Sequence, residues 1–228
     1  MIFLRSIRLG RLLALCALLA PAIASAQGTV TIDLTASSLE YSSGAALPTG
    51  NLVLLIADTT GSGFGPLLPG SSLSDGSLLN GNDQIIGATT IQAIEGDPPG
   101  TAMASFTGIP LGTSPYTNLA PGDSLAVVWF SDLTSSSTVL TAGEVYGLFT
   151  TTSPADGSDP WLVPAASGDI DVIFETQAVG GSNPDSDALA MYTAIPEPAT
   201  SSLIVGAAAC LAALAHTLRP RKRNDPVG

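Results

Sequence analysis

The chain has 228 residues, with seven Lys or Arg against 19 Asp or Glu, one His and two Cys. All the basic residues lie near the ends (Arg5, Arg8, Arg11, Arg219, Arg221, Lys222, Arg223), and of the acids only Glu197 and Asp225 lie outside residues 27–195, which leaves 17 carboxylates there without a cation. Nucleic acid is thereby excluded as a natural partner, because phosphate neutralisation needs cations this region lacks, and the same imbalance keeps the region soluble and self-repelling.

In chain order, residues 1–26 read as a secretory signal: Arg5, Arg8 and Arg11 form the positive start, Leu12 to Leu19 the apolar run, and Ala24-Ser25-Ala26 a small-residue site for signal peptidase. The mature chain is expected to begin at Gln27. Both cysteines, Cys16 and Cys210, fall outside residues 27–195, so this region can form no internal disulfide and its stability must come from apolar burial and backbone hydrogen bonds.

From Gln27 the periodicity is that of strands. Val30, Ile32 and Leu34 alternate with Thr31, Asp33 and Thr35. Asn51 to Ala57 is a continuous apolar run suited to a central strand buried on both faces. Gln84 to Ile94 is a third candidate, with a break near Gly87, followed by the short Ser105 to Ile109 and the strongly β-prone Ser124 to Ser131. Glu144 to Thr151 puts Val145 and Phe149 on one face and Tyr146 and Leu148 on the other; Asp169 to Thr176 alternates Ile170, Val172 and Phe174 against Asp171 and Glu175; Leu189 to Thr193 closes the set.

Gly, Pro, Ser, Asp and Asn clusters separate these segments, and the expected fold is all-β: an antiparallel β-sandwich or jelly roll of about 7–9 strands over residues 27–195. Leu54, Ile56, Val127, Trp129, Phe149, Val172 and Phe174 are its expected core. The long Gly61 to Gly81 connection is more than such a fold needs, and loops of that kind are functional or mobile.

The C-terminal end carries Pro196-Glu197-Pro198, an uncharged apolar run over 199–218, the basic cluster Arg219, Arg221, Lys222 and Arg223, and a short end at 224–228. Twenty residues of helix are about 30 Å long, the hydrocarbon thickness of a bilayer, and the cations behind them orient the terminus to the cytoplasm. Residues 196–198 are held extended by the two prolines.

This order of parts over residues 196–223 resembles the PEP-CTERM sorting domain of Gram-negative bacteria. The resemblance implies that an exosortase, a membrane transpeptidase, recognises Pro196, Glu197 and Pro198, releasing a chain that is first anchored in the inner membrane with its domain in the periplasm. Ala57-Asp58, Gly63-Phe64-Gly65, Val128-Trp129-Phe130, Tyr146-Gly147-Leu148-Phe149 and Trp161-Leu162-Val163-Pro164 are similar to segments of other exported proteins of that kind, which implies shared architecture and no activity.

Reactive chemistry is scarce. The one histidine, His216, lies in the apolar tail, so a Ser-His-Asp or Cys-His site, a His-ligated zinc site and an arginine clamp on phosphate cannot be assembled within 27–195. Glycoside hydrolysis by two carboxylates about 5 to 10 Å apart remains chemically open, with Asp132 and Glu144 flanking a hairpin as candidates. Calcium is the other open chemistry, with oxygen ligands in turns at Asn80, Asn82 and Asp83, at Asp156 and Asp159, and at Asn183, Asp185 and Asp187, although none fits a twelve-residue calcium loop. The segment from Asp58 to Gly65 is Gly-rich but lacks the lysine of a phosphate-binding loop.

The reading is therefore a non-catalytic exported structural or interaction protein, anchored temporarily and sorted to the cell surface or exopolysaccharide matrix. The alternative is a carbohydrate-binding module using Trp161 or Tyr116 as a stacking surface, with structural calcium; the third is a carboxylate-pair glycosidase.

Overall fold

The computed structural model describes residues 28–154, 157 and 159–195. The expected signal at 1–26, its cleavage site at Ala24, Ala26 and Gln27, the sorting motif, the 199–218 span, the basic stop, and Asp156 lie outside them. No helix among the described residues is long and apolar enough to cross a membrane.

The fold is all-β and sandwich-like. Its strands are β1 (Thr29–Ala36), β2 (Asn51–Asp58), β3 (Asp83–Thr90), β4 (Ala102–Pro110), β5 (Ser124–Thr134), β6 (Val145–Phe149), β7 (Asp169–Phe174) and β8 (Tyr192–Thr193), with two short 3-10 turns at Gln177–Val179 and Asp185–Ala188. They form a three-stranded sheet in the order β4-β1-β7 and a five-stranded sheet in the order β3-β2-β5-β6-β8.

Between the sheets lies the main core, where Ile32, Leu34, Val172 and Phe174 of the small sheet meet Val53, Leu55, Val127 and Trp129 of the large one. Trp129 stacks on Phe174 across it, centroids 5.8 Å apart. Of the seven expected core residues six are fully buried, and Phe149 is half-buried, stacked on Phe174 at 4.3 Å.

Three expectations need correction. The architecture is not purely antiparallel, because β7 pairs parallel with β1 from Thr31↔Asp169 to Ala36↔Phe174. The long connection after β6 crosses to the other sheet and delivers β7 to the free edge of β1, the kind of crossover that parallel pairing requires. β3 is continuous through Gly87, where the break was expected: Leu55 pairs Gly87 and Ile56 pairs Ile85, leaving Ile86 as a bulge. The Tyr116 hydroxyl donates to the Ile86 carbonyl at 2.8 Å, satisfying the group that the bulge takes out of the ladder.

The Gly61 to Gly81 connection is the third. It folds over the outer face of the five-stranded sheet, and its Leu67, Leu73 and Leu79 form a second core with Leu54, Ile56, Val128, Phe130 and Tyr146. Backbone bonds tie it to the β5–β6 connection, from Leu73 N–H to Thr138 C=O at 3.0 Å and from Leu140 N–H to Ser71 C=O at 2.9 Å. This cover is why every residue of β2 is buried. An antiparallel strand with one solvated face would alternate; the loop makes a third layer over the outer face of β2 and β5.

Candidate functional site

β6 supplies the outer-facing pair read from its periodicity, Tyr146 and Leu148. Opposite Tyr146 in the β6–β8 ladder stands Tyr192, and the two rings stack with centroids 5.5 Å apart. Phe64, Gly65 and Pro66 form the facing wall, enclosing a cleft of about 300 Å³ open to solvent. Its lining is aromatic and aliphatic.

Two buried aspartates hold that wall in place. Asp58 ends β2; its Oδ1 accepts the Thr60 and Gly61 N–H groups and the Thr60 hydroxyl, each at 3.0 Å, and its Oδ2 accepts the Gly63 N–H at 2.6 Å. Burial pushes the Asp58 carboxyl up, but these donors to the charged form outweigh it and hold its pKa below the usual range. Asp83, its register partner on β3, accepts the Gly65 N–H at 3.2 Å and the Asn80 amide through Oδ2, while Oδ1 is buried without a partner. Burial pushes Asp83 up to about 6, opposed by the Asn80 and Gly65 donors and reinforced by the Asp58 charge. A third tie is the Leu67 N–H donating to the Tyr146 hydroxyl at 3.2 Å. Tyr146 is thus floor of the cleft and anchor of its wall, its own pKa raised by burial.

Trp161 and Tyr116 are placed otherwise than a sugar platform requires. Trp161 is fully buried, edge-on to Phe149 at 5.4 Å, with its backbone clamped by Trp161 N–H to Thr151 C=O at 3.1 Å and Leu125 N–H to Trp161 C=O at 2.9 Å. It plugs the end of the core. Tyr116 is buried with its hydroxyl committed to the β3 bulge, so neither ring offers a face to a ligand. Among the described residues the exposed aromatic is Tyr192.

The calcium candidates are dispersed. Asn80 Oδ1 accepts the N–H groups of Asn82 (3.0 Å) and Asp83 (2.9 Å), closing the turn into β3. Asp185 accepts the Ala178 N–H at 2.9 Å, and Asp187 lies in the 3-10 turn beside it. Asp159 lines a separate depression with Asp169 and Asp171 on the β7 edge. Among the described residues no three His, Cys, Asp or Glu side chains converge as a metal-ligand set. Asp132 is exposed on β5, and Glu144, just before β6, accepts the Thr141 hydroxyl at 2.6 Å.

Phe64, Leu148 and Tyr192 were not singled out from the sequence as binding residues. The available signal was Tyr146 and Leu148 facing away from the main core, which demands a cover; which segment provides it is a long-range fact.

No family model matches the chain, and neither a curated protein nor a solved structure matches it. Its class is therefore given by the described residues alone: an all-β, two-sheet domain with a loop-covered outer face and an aromatic-lined cleft.

Proposed function

We propose that this is a non-catalytic exported structural or interaction protein, made with a signal peptide, held at the inner membrane through residues 199–218, and delivered by an exosortase to the cell surface or exopolysaccharide matrix. The carrying observation is the partition of charge: 17 carboxylates and no Lys, Arg, His or Cys in residues 27–195, with every cation in the flanking ends. The folded domain supports the reading, because its most buried carboxylates, Asp58 and Asp83, are engaged by loop N–H groups. These aspartates position a surface. Mass spectrometry of the protein recovered from medium and matrix tests it. The expected termini are Gln27 and a residue at or near the Pro196-Glu197-Pro198 motif, and full-length chain retained in the inner membrane of an exosortase-competent strain would overturn the sorting part.

A second reading, a carbohydrate-binding module, is favoured by Tyr192, an exposed ring beside an apolar cleft that could receive the face of a sugar. The absence of cations makes a neutral glycan the chemically suitable ligand.

A further inference from the structure

The most exposed large apolar side chains among the described residues are Met191 (65 %), Ile195 (54 %) and Tyr192 (53 %), all within five positions; Met103, Val139 and Ile173 are less exposed and scattered. The stretch that carries the three is pinned. Ala190 N–H donates to Glu40 C=O at 3.0 Å, Ala194 N–H to Glu144 C=O at 2.9 Å, and both alanines are buried. These apolar groups are thus held at the surface by a fixed backbone, at the point where the described chain ends.

Three residues, Pro196, Glu197 and Pro198, separate Ile195 from the uncharged run 199–218. Fully extended, the four steps from Ile195 to Ala199 reach no more than about 14 Å. The headgroup layer of a bilayer, half the difference between its total and hydrocarbon thickness, is about 5 to 8 Å on each side. A tether that short keeps Ile195 within about 6 to 9 Å of the outer edge of the headgroup layer, so the end of the domain that carries it lies against the membrane surface.

We propose that this end of the sandwich is a membrane seat: Met191, Tyr192 and Ile195 rest in the headgroup region of the bilayer that holds residues 199–218. The inference rests on the reading of 199–218 as a membrane span. Tyrosine favours the interface, where its ring lies in apolar surroundings and its hydroxyl stays wet, and methionine and isoleucine gain by removal from water. With 17 carboxylates and no cation in 27–195, the domain is repelled by anionic headgroups, so the partner is a zwitterionic lipid surface. Release of the tail uncovers the seat.

The test uses the full chain, with Cys16 and Cys210 replaced by serine, in phosphatidylcholine vesicles, with a nitroxide placed in turn at Met191→Cys, Tyr192→Cys, Ile195→Cys and, as controls, Met103→Cys and Val139→Cys. The expected result is a severalfold higher ratio of oxygen to nickel-complex collisions at the first three than at the controls, diminished when phosphatidylglycerol is added. Water-like ratios at all five positions on vesicle-bound chain overturn the seat and leave the span standing, whereas chain that does not float with vesicles overturns both. Protection at Tyr192 that appears only with a neutral polysaccharide also overturns the seat and assigns the patch to sugar. Without any substitution, peroxide should oxidise Met191 more slowly than Met103 in vesicles despite its greater exposure; the reverse order overturns the proposal.

Discussion

The Trp129 indole occupies the space in which a side chain at Gly147 would lie. The two residues are direct partners in the β5–β6 ladder, and a Cβ on Gly147 would collide with Cε2 and Cζ2 of Trp129. The indole cannot retreat, because Phe174 stacks against it from the facing sheet. Gly147→Ala is therefore expected to destabilise the domain by about 1–3 kcal/mol through overpacking. Thermal unfolding checks this, and Trp129→Phe should relieve part of the loss in a double-mutant cycle. Additive effects of the two substitutions would show that the contact is not what makes glycine necessary here.

Asn51 closes a second irregularity. Between Asn51↔Thr134 and Val53↔Trp129 the β2–β5 register slips, and the Asn51 amide donates to the carbonyls of Phe130 (3.0 Å) and Ser131 (2.6 Å) in the slipped segment. Asn51 is buried, so Asn51→Ala strands both carbonyls away from water. The expected cost is about 1–3 kcal/mol. For a domain of this size that lowers the melting temperature by roughly 2–4 °C per kcal/mol. Asn51→Asp, which replaces the donor by an acceptor, should be worse than alanine, and equal melting temperatures would count against this role.

These two sites show where sequence reading reached and where it stopped. Alternation placed Ile32, Leu34, Val172 and Phe174 inward, and the unbroken apolar run of β2 announced two buried faces. Period 2 is a local property, so it survives in the sequence. What covers the second face is not local: Leu67, Leu73 and Leu79 stand six residues apart among Gly, Pro and Ser, and nothing in that spacing reveals that they fold onto Leu54, Ile56 and Phe130. The parallel β1–β7 pair was hidden for the same reason, since strand direction depends on a crossover and not on residue pattern. Trp161 was read two ways because proline-flanked aromatics occur both as plugs and as platforms; its burial against Phe149 decides for the plug.

The two loop-holding aspartates titrate in opposite senses. Asp58 has its pKa lowered in the folded state, so its contribution is present above the usual Asp range and is lost as pH falls through the folded value. Asp83 is raised from 3.8 to about 6, so its contribution is present below 3.8 and is lost as pH rises through about 6. Stability should therefore be greatest near pH 4 and decline between about 3.8 and 6. Repulsion among the 17 carboxylates grows as pH rises and lowers stability in the same direction, but salt screens it. The Asp83 component arises from burial and should persist in high salt. Melting curves across this range with and without added salt check the assignment: Asp83→Asn should flatten the salt-resistant slope, and an unchanged slope in that variant would remove Asp83 as its source.

Trp161 and Tyr192 separate structure from binding. Trp161 is wholly enclosed, so Trp161→Ala opens a large cavity beside Phe149 and should cost about 3–5 kcal/mol. Any loss of ligand retention in that variant would follow unfolding and would say nothing about a sugar platform. Tyr192 is exposed and touches the fold chiefly through Tyr146, so Tyr192→Ala should change stability by only about 1 kcal/mol, the scale of an aromatic pair. If the cleft takes a neutral glycan, Tyr192→Ala abolishes retention on a neutral polysaccharide column while lowering the melting temperature by only about 2–4 °C, and Tyr192→Phe keeps it, since stacking needs the ring and not the hydroxyl. Retention by Tyr192→Ala equal to that of the parent would place any sugar binding elsewhere, and no retention by the parent would leave the cleft without a glycan role.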